Sequence, residues 1–365
     1  MKSTAAYALP AEAHARLEAL VDRIEAQPGD LIDLRQFQEM QQRLDVGATV
    51  AALPAGLSQD DFAGILKLAL LTECATETYG ACFAERAQWF GTPWLARFNE
   101  RVWVPDELTH HTPYKYILLN MGFAEAELDR EIRHVQELDF AHRGGDTPVH
   151  VATFGIVQEY LTDNWHGLIA SLLREASPAA AYMATRIKRR ETLHTVWYRD
   201  MVALQIEANP ALVPCVAEAL LRFEMPGNQL VPHLQARVGA WMPAMGADFE
   251  RITRDLVRHV YATLADPALA GRLVMEIARE RDVSFGPLAP GVVQAALNRL
   301  GGPGYGLIGE AVLQSVGLAY LFEHKRGVQD SAFLPYGGVY ERVRSLVRSW
   351  IARQIDFRLD PGGGA

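Results

Sequence analysis

The 365-residue chain is poor in cysteine, with three, and in lysine, with five against thirty arginines. Cys74, Cys82 and Cys215 are too few, and odd in number, for a disulfide scaffold, and their apolar settings fit reduced, buried thiols. A reducing, cytoplasmic location is the expectation that follows. The scarcity of lysine carries no functional weight. Net positive charge is lacking as well, since 44 acidic residues against 35 basic ones leave −9 and a pI near 5.7. That balance excludes a general nucleic-acid binder, whose affinity would rest on a basic surface facing phosphates. No run approaches the ~18–20 apolar residues needed to span a bilayer, because Glu73 interrupts the best candidate, Ile65 to Leu71. The first ten residues hold one lysine and no apolar run of signal-peptide length, and Glu12 and Glu18 follow, so no export or organelle address is expected.

Strict two-residue alternation is scarce too, and there is no βαβ rhythm. Apolar residues recur at three- and four-residue spacing, which predicts an all-α protein. With 49% hydrophobic residues the chain can bury a large core, which excludes a disordered one. Breakers such as Gln27-Pro28-Gly29-Asp30, Gly91-Thr92-Pro93, Arg143-Gly144-Gly145-Asp146 and Pro226-Gly227-Asn228 divide it. Helices are expected over 62–90, 94–121, 149–175, 178–208 and 246–264. The first four are long enough to be the arms of a large four-helix bundle. Beyond 245 the pattern is helical but shorter, with an amphipathic piece from Tyr340 to Ile355 and a frayed glycine-rich tail.

Two of these arms carry Glu-x-x-His, as Glu107 with His110 and Glu191 with His194. Residues three apart share a helix face, so each pair can present a carboxylate and an imidazole to one point. The other two arms each carry a glutamate in apolar surroundings, Glu73 and Glu159. One glutamate from each of two helices plus one Glu-x-x-His from each of the others is a known pattern for a carboxylate-bridged di-metal site. Four ionised glutamates are neutralised by two divalent ions, whereas without metal such a cluster would repel itself and take up protons. Mixed oxygen and imidazole ligation fits iron first and manganese second better than a closed thiolate zinc site. A lone Glu-x-x-His is weak, and the chain holds a third copy, Glu131 with His134, among Glu125, Glu127, Asp129 and Glu137, that reads as an exposed face. Four motifs in order on four consecutive long helices are far more specific.

On these residues the chain resembles the soluble acyl-carrier-protein desaturases of the ferritin-like di-iron superfamily. Asp106-Glu107-Leu108-Thr109-His110-His111 before Tyr114-Lys115-Tyr116 is similar to that family's first paired motif, and Gln158-Glu159-Tyr160-Leu161-Thr162 with His166-Gly167 to its lone-glutamate motif. Arg190-Glu191-Thr192-Leu193-His194 is similar to the second pair, and Leu71-Thr72-Glu73-Cys74 to an early Ile-Thr-Glu-Glu. The ligand-to-ligand steps of 34, 52 and 32 residues are close to the family's, and the likeness covers about residues 60–245, including Met225-Pro226 and Met242-Pro243. The resemblance implies a ferritin-like four-helix bundle core over 61–245, an N-terminal helical segment over 1–60 packing on it, and a C-terminal helical extension over 246–365. It implies Glu73, Glu107, His110, Glu159, Glu191 and His194 as ligands of two iron ions, one histidine to each. Glu77, one turn after Glu73, is the rival first ligand; His166 and His111 are expected beside the site or at the surface. Thr162 matches the family's threonine beside the oxygen-binding face, implying proton delivery; the alternative is a hydroxyl bonded back to its own helix.

The implied activity is an O2-dependent desaturase acting on an acyl chain held by acyl carrier protein, reduced by a ferredoxin-type donor, in a homodimer. A related hydroxylase on another tethered substrate and an iron-storage or non-catalytic helical protein are the competing readings. Arg190 stands where the family has an aspartate, and the N-terminal tryptophan expected of it is missing, Trp89 being the first. Both belong to the family's electron route, so reduction by another path is expected. Pro105 and Pro113 bracket the first pair and predict a distorted helix there. For docking an acidic carrier, Arg186, Lys188, Arg189 and Arg190 form one candidate basic patch and Arg342, Arg344, Arg348 and Arg353 another; the alternative for either is a solvated helix face.

Overall fold

Ser58 accepts a hydrogen bond from the Asp61 amide while the Asp61 carboxylate accepts one from the Ser58 amide, a reciprocal cap that satisfies the free donors of a helix start. Thr147 begins a second long helix, with Pro148 at its first position, where a missing N–H costs nothing. The computed structural model describes residues 7–35, 45–174, 178–264 and 266–280, and every regular element among them is helical. The chain divides into two units, Met1–Ala265 and Asp266–Ala365.

In the first unit the helices run α1 (Ala11–Ala26), α2 (Val46–Ala51), α3 (Gln59–Glu73), α4 (Thr76–Trp89), α5 (Pro93–Phe98), α6 (Val104–Glu107), α7 (His111–Asn120), α8 (Glu125–Gln136), α9 (Pro148–Leu173) and α10 (Pro178–Ala208). There follow α11 (Val213–Arg222), α12 (Gly227–Leu230), α13 (Pro232–Gln235), α14 (Val238–Ala244) and α15 (Phe249–Tyr261); in the second unit α16 spans Pro267–Glu280. The four arms are α3 with α4, α5 through α7, α9, and α10, a ferritin-like helical core. The two long helices α9 and α10 pack along each other, α3 packs on α7, and both α3 and α4 reach α9. The α1 helix lies on α5 and α10, and α15 on α9 and α10.

Most side chains of α9 are buried on every face, as expected of a helix enclosed by others. Its approach to α10 depends on Gly155, where a Cβ would stand 2.5 Å from Tyr198 Cδ2.

Two of the expected continuous helices are broken. The 62–90 arm stops at Glu73 and resumes at Thr76, across a turn at Cys74 and Ala75. The 94–121 arm contains a π-helical segment, Asn99–Trp103, and a turn from Leu108 to His110. Pro105 and Pro113 lack the amide N–H groups that regular helical ladders would use here, so the chain widens before one and turns before the other. Both interruptions fall at proposed ligands. No described helix is long and apolar enough to cross a membrane. The expected piece from Tyr340 to Ile355 and the tail lie outside the described residues.

Candidate metal centre

The breaks in the first two arms place Glu73 at the end of α3, Glu107 at the end of α6 and His110 at the turn into α7. Glu159 comes from the middle of α9, and Glu191 and His194 lie one turn apart on α10. All six side chains are buried. Glu73, Glu107, His110 and Glu191 each offer a ligand atom within 4.8 Å of the others, and so do Glu107, Glu159, Glu191 and His194. Glu107 and Glu191 belong to both groups. The six residues selected by spacing therefore form two adjoining sets with two carboxylates in common.

The distances and the hydrogen bonding of these atoms test whether cations fit. His110 Nδ1 lies 2.8 Å from Glu191 Oε1 and 3.1 Å from Glu107 Oε2. His194 Nδ1 lies 2.7 Å from Glu107 Oε1 and 3.5 Å from Glu159 Oε2. Despite these approaches, both Nδ1 atoms, Glu107 Oε1 and Glu191 Oε1 have no hydrogen-bond partner. Buried polar atoms left unpaired cost about 1–3 kcal/mol each. Groups this close yet unpaired would be satisfied together by a positive ion between them, and four carboxylates with two imidazoles match hard or borderline divalent ions.

Electrostatics point the same way. Burial pushes Glu73 up to about 7, against the hydrogen bond from His166. Burial, then the neighbouring Glu107 and Glu191 charges, holds Glu159 well above the carboxylate range. Burial and Glu191 also push Glu107 up, but His110 and His194 outweigh them and hold it low. Burial alone would hold both histidines neutral, yet the surrounding carboxylates raise them well above the usual imidazole value. Without metal, then, the cluster neutralises itself with protons, and divalent ions would displace them.

A second ring of side chains orients the first. His166 places Nε2 3.2 Å from Glu73 Oε1, and its Nδ1 meets the Tyr114 hydroxyl at 2.5 Å. Trp103 donates to Glu159 at 3.1 Å. Asp106 accepts from His194 Nε2 at 2.8 Å and from Arg190 Nε at 2.7 Å. Thr162 Oγ1 lies 3.0 Å from the Glu159 carbonyl, as a back-bonded hydroxyl would, and also 3.2 Å from Glu191 Oε2. Spacing alone did not assign Asp106, Tyr114 or Trp103; the one signal for Asp106 is its place beside Glu107, four residues before His110.

Other expectations resolve plainly. Glu77 is exposed and outside both groups. His111 is half-buried and pushed down to about 4, chiefly by burial. His134 is exposed, and Glu131 pairs with Lys67 at 2.7 Å. The cysteines are free thiols, but only Cys74 is buried; Cys82 and Cys215 are half-buried. The first basic patch is largely neutralised: Arg186 pairs with Asp30, Lys188 with Asp163, and Arg190 is buried on Asp106. The second lies outside the described residues.

No curated protein matches the chain. Residues 15–255, about two thirds of its length, match the family described as fatty acid desaturase. With all six converging carboxylates and imidazoles inside the matched stretch, the chain belongs to the fatty acid desaturase family.

Proposed function

We propose that this protein is an O2-dependent desaturase that uses two bound iron ions to introduce a double bond into an acyl chain carried on acyl carrier protein. Membership of the family makes it an oxidoreductase of fatty acid desaturation; the metal, the oxidant and the carrier are the proposal. The supporting observation is that Glu107 and Glu191 belong to both buried ligand groups. Removing two hydrogens from adjacent carbons is a two-electron oxidation. With O2 as oxidant it balances when two further electrons and two protons are supplied and two waters leave, which calls for a one-electron donor such as a ferredoxin-type protein. Bound iron would supply the reductive activation of O2 that an unactivated C–H bond requires.

The chain's own residues supply the frame. Glu73 and His110 would hold one ion, Glu159 and His194 the other, with Glu107 and Glu191 shared. His166 and Trp103 fix the carboxylates of Glu73 and Glu159. The Thr162 hydroxyl holds a proton beside Glu191. Buried rings of Phe83, Trp103, Phe154 and Tyr198 keep bulk water from the surroundings. Manganese is the alternative metal.

Metal analysis of the purified protein should find about two ions per chain, and Glu107→Ala or His194→Ala should remove at least one of them. Incubation with acyl carrier protein bearing saturated chains, a ferredoxin reductant and O2 should yield an alkene without incorporated oxygen. Unchanged metal content in both variants would sink the metal reading. Oxygen from labelled O2 in the product would make the protein a hydroxylase, and turnover of free fatty acids in preference to tethered ones would remove the carrier from the reading.

A further inference from the structure

Four residues before each histidine stands a charged side chain, Asp106 before His110 and Arg190 before His194. The two segments are otherwise alike in pattern, and both charges are buried. Across the bundle Asp106 serves the opposite histidine, accepting from His194 Nε2 at 2.8 Å. Arg190 cannot return the service, because a guanidinium carries donors only. His110 Nε2 has no hydrogen-bond partner, and its approach to Asp106 Oδ1 is 3.8 Å.

Arg190 instead holds Asp106 on the His194 side. Its Nε donates to Asp106 Oδ2 at 2.7 Å, its Nη1 donates to the Pro28 carbonyl, and its guanidinium lies 5.5 Å over the Trp197 ring. Gly29, with φ of +78°, leaves room for this, since a Cβ there would stand 2.9 Å from Arg190 Nη1. The carboxylate arms of the two positions are supported alike, Glu73 by His166 and Glu159 by Trp103. The histidines are not. An acceptor on the far nitrogen fixes the tautomer and direction of a metal-binding imidazole, and losing it costs about 10–100-fold in affinity.

We propose that Asp106, anchored by Arg190, makes the two metal positions unequal, so that the one at His194 and Glu159 fills first and the one at His110 and Glu73 second. Arg190 and Asp106 are positioning residues in this scheme, which rests on the metal reading above.

The test is anaerobic calorimetric titration of the metal-free, full-length protein with Fe(II). Two steps are expected, with dissociation constants at least about 10-fold apart. Glu159→Gln should remove the tighter step and Glu73→Gln the weaker one. The double variant Asp106→Ala/Arg190→Met deletes one buried charge of each sign, which avoids stranding either partner, and should weaken the tighter step alone until the two merge. Arg190→Lys, which keeps a cation beside Asp106, should preserve the separation. If the double variant does not fold, the wild-type steps and the two glutamine variants still decide the order. Two equal wild-type steps, loss of the tighter step in Glu73→Gln, or unchanged steps in a folded double variant would overturn the inference while leaving the metal reading intact. Absence of any Fe(II) binding would overturn both.

Discussion

Glu73 shows at the residue scale what burial does to a carboxylate. Removed from water at the end of α3, it is pushed up to about 7. Between about pH 4.5 and 7 the unfolded chain has released this proton while the folded, metal-free protein keeps it, so Glu73 lowers stability as pH rises through that window. Glu73→Gln should abolish on the order of 3 kcal/mol of that pH dependence, seen by comparing denaturation of chelator-treated protein at pH 5 and pH 8. Thr162 presents the opposite case, a neutral group with one proton near Glu191. Thr162→Val should keep the metal content and lower turnover by about 10²-fold or more if the hydroxyl acts as an acid; full activity would leave it a back-bonded side chain. Four of the six candidate ligands were legible because i, i+3 spacing on a helix is local geometry, and Glu73 and Glu159 because each is a lone acid in an apolar run. Asp106 was not, because its partners His194 and Arg190 come from a different arm, and no local pattern says which neighbour a charged side chain will meet.

Helices differ in how much of their form was written locally. The expected 149–175 and 178–208 became α9 and α10 with ends shifted by at most two residues, since cap and breaker residues bound them. The first two arms break where the sequence pattern ran on. Cys74 and Ala75 carry no breaker signal, and Pro105 announces distortion without saying that it takes the form of a π-helical segment upstream. These interruptions place Glu73 and Glu107 at helix ends and His110 in a turn, so half of the candidate site is built where regular helix is given up and half on the unbroken α9 and α10. Gly155 is the converse, a regular position with no space. Gly155→Ala should destabilise the protein by about 1–3 kcal/mol through overpacking against the Tyr198 ring, read as a lowered denaturation midpoint. Tyr198 cannot readily yield, being fully buried with its ring packed edge-on to Phe98.

Across the whole molecule, the first unit holds every candidate ligand and the whole of the matched family stretch. Arg97 binds α1 to α5 through Glu18, Asp22 and Glu25, and Arg16 reaches Glu207 on α10 at 2.8 Å. A chain ending at Ala265 should therefore take up the same number of iron ions as the full-length protein, measured by metal analysis after refolding or direct expression. Loss of both ions from a folded truncated chain would assign residues 266–365 a part in building the site.

By itself the sequence determined the helical period, the acidic charge, the six candidate ligands and their order along four arms, all consequences of composition and of contacts within a few residues. Only the tertiary structure decided that Glu107 and Glu191 belong to both buried groups, that Glu77 is exposed, and that Asp106 accepts from His194 while His110 Nε2 has no partner. Those outcomes depend on how helices far apart in the chain turn toward one another, and a rotation or break of one turn would have changed each of them.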